Sequence, residues 1–323
     1  MTAYPMPMHF TISAHVRHVG ALCAAACALA WAPPAVASAT GQGSSLSTQF
    51  CAAGKPQTAA QQDRVLRFAA TIRDTLQAGD DEVALIARSG LDLSRFGLRY
   101  SHAGVLLRGA DGAEVPWSVR QLYYDCEHSR PRLFDQGLAG FLMSAEAPDR
   151  GFVSVVLLPR AQADRLRAVA LDPARVSRLL ASDYSANAYP FSTRYQNCNQ
   201  WVAELLATAW APLADGPQLR ERAQTWLQQT GYAPTDVAID SHLTKFVAGF
   251  MPLLHLDDHP SELQLGMRFQ VSLPEAIEAY ARDLAPTARR IEFCHDATRI
   301  VVREGWQAMA SCKPAPGDRV IAL

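Results

Sequence analysis

The chain has 323 residues, with 30 Lys and Arg against 31 Asp and Glu, so its formal net charge at neutral pH is -1. Hydrophobic residues make up 49% and charged residues 19% of the sequence, which is typical of a globular protein. The balanced charge argues against a nucleic-acid-binding protein and against binding to anionic membrane surfaces.

Residues 1–39 are typical of an export signal peptide. Arg17 precedes an apolar run over residues 19–31 that is too short to span a bilayer. Ala37-Ser38-Ala39 provides a small-residue cleavage site. Cleavage two residues earlier and retention as an N-terminal membrane anchor are the alternatives. The pattern predicts a periplasmic or secreted protein, and later apolar runs are too short for a transmembrane helix.

Residues 40–56 are rich in Gly, Ser and Ala and predict a flexible segment, followed by a single α+β domain over residues 57–323. Helical or strand periodicity predicts the following elements in chain order. They are helix 59–78, strands 82–88, 100–108, 113–123 and 151–160, helices 161–170, 173–182, 198–210, 219–230 and 242–254, strand 268–273, helix 274–284, and strands 290–293 and 298–303. The mixed order indicates an α+β fold with an antiparallel sheet.

Cys198 opens one of these predicted helices, with Asn197 before it as the expected N-cap. The partial positive charge and free N–H groups of a helix N-terminus favour a thiolate and can hold an oxyanion. Gln196, Asn197 and Asn199 flank the cysteine and are the predicted oxyanion and substrate-pocket residues. The alternative is a buried, inert cysteine on a core helix.

His102 begins a predicted strand and is the candidate general base, because imidazole can take a proton from a thiol. A structural, hydrogen-bonded histidine is the alternative. If Asp111 and Gly112 form a two-residue hairpin turn, His102 faces Gln121 on the returning strand, which makes Gln121 the first candidate to orient the imidazole. Glu114 and Ser118 are alternatives for that role.

Five segments together resemble an uncharacterised bacterial family, domain of unknown function 2145. They are residues 100–104 (YSHAG), 117–119 (WSV), 196–201 (QNCNQW), 223–227 (AQTWL) and 257–260 (DDHP). The resemblance extends over nearly all of the chain after the signal. The order of His102 before Cys198 is similar to circularly permuted, papain-like hydrolases of the NlpC type. That likeness implies an antiparallel sheet packed on the cysteine-bearing helix, with additional helices.

Five cysteines follow residue 39: Cys51, Cys126, Cys198, Cys294 and Cys312. An exported protein retains disulfides, and the odd number leaves at least one thiol free or paired between molecules, with Cys198 the best candidate for the reactive one. Cys294 and Cys312 flank the last predicted hairpin and its tail, which favours their pairing and leaves Cys51 to pair with Cys126. The alternative, if the export signal is misread, is that all five are reduced.

The leading hypothesis is therefore an exported thiol hydrolase or acyltransferase acting on an amide or ester bond of a substrate that could come from the cell envelope. The alternative is a catalytically inactive periplasmic binding or assembly protein on the same fold. No cofactor is implied, and zinc-binding patterns such as CxxC or HExxH do not occur. The sequence 257–260 is either a second acid/base or cation site or, more simply, a solvated turn.

Overall fold

A computed structural model describes residues 51, 57–109, 116–143, 149–242, 245 and 253–323 of the chain. The strands are, in chain order, β1 (Val83–Arg88), β2 (His102–Arg108), β3 (Trp117–Asp125), β4 (Arg130–Gly137), β5 (Gly151–Leu157), β6 (Thr235–Ala238), β7 (Arg268–Val271), β8 (Arg289–His295), β9 (Arg299–Glu304) and β10 (Arg319–Ala322). Eight of them form one antiparallel sheet in the order β10-β9-β8-β5-β1-β2-β3-β4, and β6 pairs with β7 apart from it. The strand that carries His102 thus lies near one end of the large sheet.

Helices cover both faces of this sheet. They are, in chain order, α1 (Ala59–Gln77), α2 (Leu138–Met143), α3 (Arg160–Ala170), α4 (Pro173–Arg178), α5 (Cys198–Trp210), α6 (Leu219–Gln229), α7 (Ser261–Leu265) and α8 (Pro274–Leu284). The central strand β1 is buried at every position because it is covered on both sides. Its sequence VALIAR is accordingly apolar almost throughout.

Alternate residues of β2 point into two separate hydrophobic cores. Leu106 packs with Phe68 and Phe141 on the face covered by α1 and α2. Ala103 and Val105 pack with α5 and its neighbours on the other face. The two faces are called here the α1 face and the α5 face. Because side chains alternate along a strand, His102 and Gly104 share the α1 face with Leu106.

The structure confirms a mixed α+β architecture with a large antiparallel sheet and several helices. The predicted register of the β2–β3 hairpin is wrong by two residues, because Val105 pairs with Arg120. Its assumed turn, Asp111-Gly112, lies outside the described residues. A shift of two positions keeps every side chain on its face, so Gln121 still lies on the face of His102.

The sequence patterns did not predict several short elements: β4, β6, β10, α2 and α7. Strand β4 is the clearest case, since RPRLFDQG is polar and contains Pro131. It is an edge strand, and proline and charge are tolerated at sheet edges because one row of hydrogen bonds is unused there. The helix expected over 242–254 falls largely outside the described residues.

Two disulfides join the pairs suggested by the sequence, Cys51 with Cys126 and Cys294 with Cys312. The described residues all belong to one compact unit, Ser44–Leu323. The expected signal peptide, residues 1–39, and most of the segment 40–56 lie outside the described residues. Within the described part of the chain, no helix is long and apolar enough to cross a membrane.

Candidate functional site

Cys198 is the first residue of α5 and the free cysteine among those that the structure describes. Asn197 caps the helix as expected, with its side-chain oxygen accepting the Gln200 N–H at 2.7 Å. The cysteine is 6% exposed. The local sequence therefore places a buried sulfur at a capped helix N-terminus, where N–H groups are left without helical partners.

Backbone N–H groups lie near the sulfur. Burial raises the pKa of Cys198 to about 11. It outweighs the N–H groups of Asn199, Ala103 and Cys198 itself and the positive charge of Arg88, all of which act to lower the pKa. Tyr184 packs against the hydrophobic cluster that contains Cys198. The resting residue is a thiol, and the thiolate expected from the helix N-terminus alone does not form.

Ala103 lies beyond the last pair of the β2–β3 ladder, and this unpaired stretch is called here the gap between the two strands. Their last pair on the His102 side is Val105 with Arg120. The N–H of Arg108 donates to Glu82 at 2.8 Å, on the β1 side. Backbone groups alternate along an antiparallel strand, so the Ala103 N–H points away from β1 toward β3, where pairing has ended. The sulfur of Cys198 lies near this N–H group.

The imidazole of His102 lies beside the same gap, on the α1 face of the sheet. Its ring lies 5.2 Å from that of Tyr123 and 5.8 Å from that of Phe141, between ring centroids. Nε2 is hydrogen-bonded to the Oε1 of Gln121, whose own amide donates to Gln136 Oε1 at 2.6 Å. Since Oε1 can only accept, Nε2 carries the proton and Nδ1, the nitrogen nearer the main chain, is the basic one.

Burial lowers the pKa of His102 to about 3, with a further contribution from the positive charge of Arg88. Arg88 lies directly opposite His102 on β1. The imidazole is therefore neutral at physiological pH. A neutral imidazole can accept a thiol proton during a reaction, whereas an imidazolium could not.

The structure brings His102 together with Gln121, and brings Cys198 to the main chain next to His102. The two reactive side chains start on opposite faces of the sheet, His102 on the α1 face and Cys198 on the α5 face. Contact between them would require an approach through the gap between β2 and β3. A reaction between them would take place through this opening and not on one face of the sheet.

The other candidates for orienting the imidazole lie elsewhere. Ser118 pairs with Leu107, five positions along β2 from His102, and its hydroxyl reaches Leu107 O at 3.5 Å. Its side chain is on the α5 face, because it alternates with Val119. Glu114 lies outside the described residues.

Gln196 has a different role from the expected oxyanion donor. Its amide nitrogen donates to Leu179 O at 2.8 Å and to the carboxylate of Glu204, and its oxygen accepts the Ala181 N–H at 3.1 Å. The side chain is thus directed into the protein interior. Asn199 is also structural in part, since its amide donates to Ser101 O at 3.2 Å and ties α5 to the start of β2.

Glu204 organises the nucleophile side and was missed by the sequence analysis. The carboxylate is fully buried and accepts from Arg220 Nε at 2.9 Å, Gln224 at 2.7 Å and Gln200 at 3.2 Å. Arg220 in turn donates to the carbonyls of Thr193 and Tyr195. These contacts fix the loop that leads into Cys198. A glutamate on the buried side of an apolar helix was the available signal.

A second buried carboxylate, Glu292, fixes the segment before His102. It accepts from the Tyr100 hydroxyl at 2.5 Å and from Arg99 at 3.0 Å. Arg290 and the N–H of Met309 bind its other oxygen. Both N–H groups of residues 99 and 100 are also accepted by one carboxylate oxygen of Glu275. Residues in the C-terminal part of the chain therefore fix the position of the start of β2.

Asp258 and His259 form a buried clamp within the turn 257–260, whereas Asp257 is exposed. His259 Nδ1 and Asp258 Oδ1 lie 3.0 Å apart, within hydrogen-bonding distance, and both side chains are buried. Asp258 also accepts the Tyr189 N–H at 2.8 Å, and His259 Nε2 contacts Gln270 O at 3.0 Å. The clamp fastens this segment to the loop before Cys198. Among the described residues, no group of three or more His, Cys, Asp or Glu side chains suits a metal ion.

Comparisons with known proteins give a family but no activity. A family model described as "Uncharacterized protein conserved in bacteria (DUF2145)" matches residues 75–281, which include every member of the site described above except Arg290, Glu292 and Met309. The chain has no significant match among curated proteins or among solved structures.

Proposed function

The chain belongs to the uncharacterised bacterial family DUF2145, and from the arrangement of its site we propose that it is an exported thiol hydrolase or acyltransferase that acts on amide or ester bonds. Cys198 is the nucleophile, His102 the general base, and Gln121 the residue that orients the imidazole. The observation that carries the proposal is the gap between β2 and β3. There the sulfur lies near the N–H of the residue that follows His102, while Gln121 fixes the imidazole with Nδ1 unprotonated.

The neutral thiol and imidazole define the order of proton transfers. His102 takes the thiol proton as Sγ bonds to the substrate carbonyl carbon, and the developing oxyanion meets the N–H groups at the start of α5. The intermediate collapses, and the leaving amine or alcohol receives the proton from the imidazolium. Water or a second acceptor then attacks the thioester, gives its proton to His102, and releases the acyl group. The sulfur finally recovers that proton.

The relation to permuted papain-like enzymes belongs to the same proposal. It is supported by a histidine strand that precedes the cysteine helix in the chain, and by the packing of that helix on an antiparallel sheet. The two disulfides are compatible with an extracytoplasmic location. A cell-envelope amide or ester is the substrate class that such a location would offer.

The alternative is an inactive binding or assembly protein on the same fold. It is favoured by the burial of both reactive groups, since Cys198 is 6% and His102 7% exposed, and by their origin on opposite faces. A binding protein needs neither group to react. The two readings differ in whether Cys198 can be acylated.

Acylation by p-nitrophenyl acetate tests the proposal. We expect release of p-nitrophenol together with an acetyl group on Cys198, located by peptide mass spectrometry. His102→Ala should slow this about 100-fold or more, because general-base catalysis contributes on that scale. The matched control is His128→Ala, an exposed histidine in the β3–β4 turn, which should react like the wild type. Acylation that persists in Cys198→Ala, or none in the wild type, contradicts the proposal.

A further inference from the structure

Asn199 follows Cys198 in α5, and its side-chain amide connects that helix to the start of β2. The amide nitrogen donates to Ser101 O at 3.2 Å. The N–H of His102 faces β1, because Arg88 is its partner there and N–H groups alternate along the strand. A trans peptide directs the preceding carbonyl the opposite way. Ser101 O therefore lies in the gap between β2 and β3, and so does the amide of Asn199.

The oxygen of this amide has no partner. Asn199 is 2% exposed, and its Oδ1 is buried without a hydrogen bond among the described residues. Exchanging the two amide atoms does not help, because Oδ1 would then face Ser101 O and neither oxygen can donate. Oδ1 is bonded to the same carbon as the nitrogen, so it lies at the same gap. A buried acceptor is costly to leave unpaired, and a donor brought by a ligand would be stabilised at this position.

A second asparagine, in the loop before Cys198, shows the pattern of a purely structural amide. Asn187 donates to His255 O at 2.8 Å. Its Oδ1 accepts from the Ser185 hydroxyl at 2.8 Å and from the His255 N–H at 3.1 Å. Both ends of that amide fix the loop. Asn199 uses its nitrogen alone in this way, which leaves its oxygen for a substrate.

We propose that Asn199 determines the substrate specificity of the site, with Oδ1 accepting an N–H group carried by the acyl part of the substrate. This inference rests on the proposed thiol hydrolase or acyltransferase function. An acyl group of this kind bears an amide N–H close to its scissile carbonyl, as in an N-acylated amino acid. A hydrocarbon acyl chain brings no donor, and a site built to bind one disfavours the substrate that lacks it. The substrate class is therefore acylamino acyl groups and not simple hydrocarbon chains.

Two esters that differ in one group test this role. p-Nitrophenyl N-acetylglycinate carries the N–H, and p-nitrophenyl 4-oxopentanoate has a methylene group in its place. With either ester, Sγ of Cys198 bonds to the carbonyl carbon, p-nitrophenoxide leaves, and the thiol proton passes to His102. A free model thiol gives the intrinsic ratio of the two rates. We expect the wild type to exceed that ratio, in favour of the N-acetylglycinate, by roughly 10- to 100-fold, the effect of leaving one buried acceptor unpaired.

Asn199→Leu keeps the shape of the side chain without its amide and should return the ratio to that of the free thiol. Loss of the bond to Ser101 O slows the reaction with both esters alike, so the ratio reports on Oδ1 and not on the placement of α5. The matched control is Asn187→Leu, which removes a structural amide from the preceding loop and should leave the ratio at its wild-type value.

A wild-type ratio equal to that of the free thiol would overturn the inference and assign Oδ1 to a buried water molecule. An unchanged ratio in a folded Asn199→Leu protein would overturn it as well. If circular dichroism shows that Asn199→Leu does not fold, the comparison of the wild type with the free thiol decides alone. A wild-type protein that iodoacetamide labels at Cys198 but neither ester acylates would instead remove the proposed function, and the role of Asn199 with it.

Discussion

One buried carboxylate holds each side of the site: Glu204 the side of Cys198, called here the nucleophile side, and Glu292 the side of His102, called here the histidine side. The partners of these two carboxylates come from very different distances along the chain. Glu204 binds side chains that are 4 to 20 positions away, from Gln200 to Gln224. Glu292 binds Arg99 and Tyr100, which precede it by 193 and 192 positions. The nucleophile side is thus built from neighbouring segments, and the histidine side requires the C-terminal strands to be in place.

The two carboxylates also differ in whether their arginine partners would keep another stabilising contact if the carboxylate were removed. Arg220 has Glu204 as its carboxylate partner and is almost completely buried. The arginines around Glu292 do not depend on it alone, because Arg290 also binds Glu278 at 2.8 Å and Arg99 is partly exposed to solvent. The free-energy cost of removing a carboxylate depends on whether its cation keeps another partner.

Replacing each carboxylate by alanine should therefore give unequal losses of stability. Glu204→Ala leaves Arg220 buried without a counter-charge and should lower the free energy of unfolding by about 3–5 kcal/mol. Glu292→Ala should cost about 1.5–3 kcal/mol, the range for hydrogen bonds to a charged group. Urea denaturation measures both. The control is Glu221→Ala, an exposed acid on α6. Equal losses in the two variants would show that the free-energy cost does not depend on whether the arginine keeps another partner.

Gly104 tests the spacing of β2 and β3 without removing a polar side chain. A Cβ at this position would lie 2.7 Å from Val119 Cγ1 and 2.9 Å from the backbone oxygen of Arg120. Gly104→Ala must therefore move β3, which carries Gln121, and should cost about 1–3 kcal/mol of stability as overpacking does. We expect acylation to fall as well. Gly137→Ala is the control, since nothing lies within 4 Å of its added Cβ. A wild-type-like Gly104→Ala protein would contradict the described spacing.

Acidification should destabilise the histidine side. Burial lowers the pKa of His102 from 6.5 to about 3, so below pH 6.5 the unfolded chain binds a proton that the folded chain does not. This contribution to stability is full above pH 6.5 and is lost as the pH falls toward 3. Between pH 8 and pH 5.5 the wild type should lose about 1.4 kcal/mol more than His102→Gln. Parallel curves for the two proteins would place His102 in a solvated site.

The nucleophile side should react slowly with simple alkylating agents. Because the pKa of Cys198 is raised to about 11, iodoacetamide at pH 7 should label it more slowly than a free model thiol, with a rate that rises with pH. Without reductant, the exported protein should take up one alkyl group, because Cys51, Cys126, Cys294 and Cys312 are paired. Intact mass counts the groups. Five alkyl groups would contradict both disulfides.

The sequence predicts the nucleophile side well because its information is local. Helix α5 begins at Cys198 and ends at Trp210 as its apolar periodicity indicates, and Asn197 is its cap. Gln121 contacts His102 although the assumed register is wrong by two residues. The error does not change the face of the sheet on which Gln121 lies, because side chains return to the same face every two positions along a strand.

What the sequence could not supply depends on burial and on distant contacts. Helix start and capping favour a thiolate at Cys198, but the surrounding core raises its pKa instead. Gln196 is close to the nucleophile in sequence, yet Glu204 and Leu179 take its side chain. Tyr184 is joined to Gln196, two residues before Cys198, by an isolated bridge, which leaves no periodic pattern. Each of these is a tertiary effect without a local signature.

The central claim is that Cys198 and His102 meet through the gap between β2 and β3, and a short bifunctional reagent measures this directly. 1,3-Dibromoacetone alkylates a thiol and then, within the reach of a three-carbon bridge, a neighbouring imidazole. We predict that peptide mapping finds the Cys198 and His102 peptides joined in the wild type and separate in His102→Ala. A wild-type protein alkylated at Cys198 alone, with no bridge to His102, would show that the two side chains stay on their separate faces of the sheet.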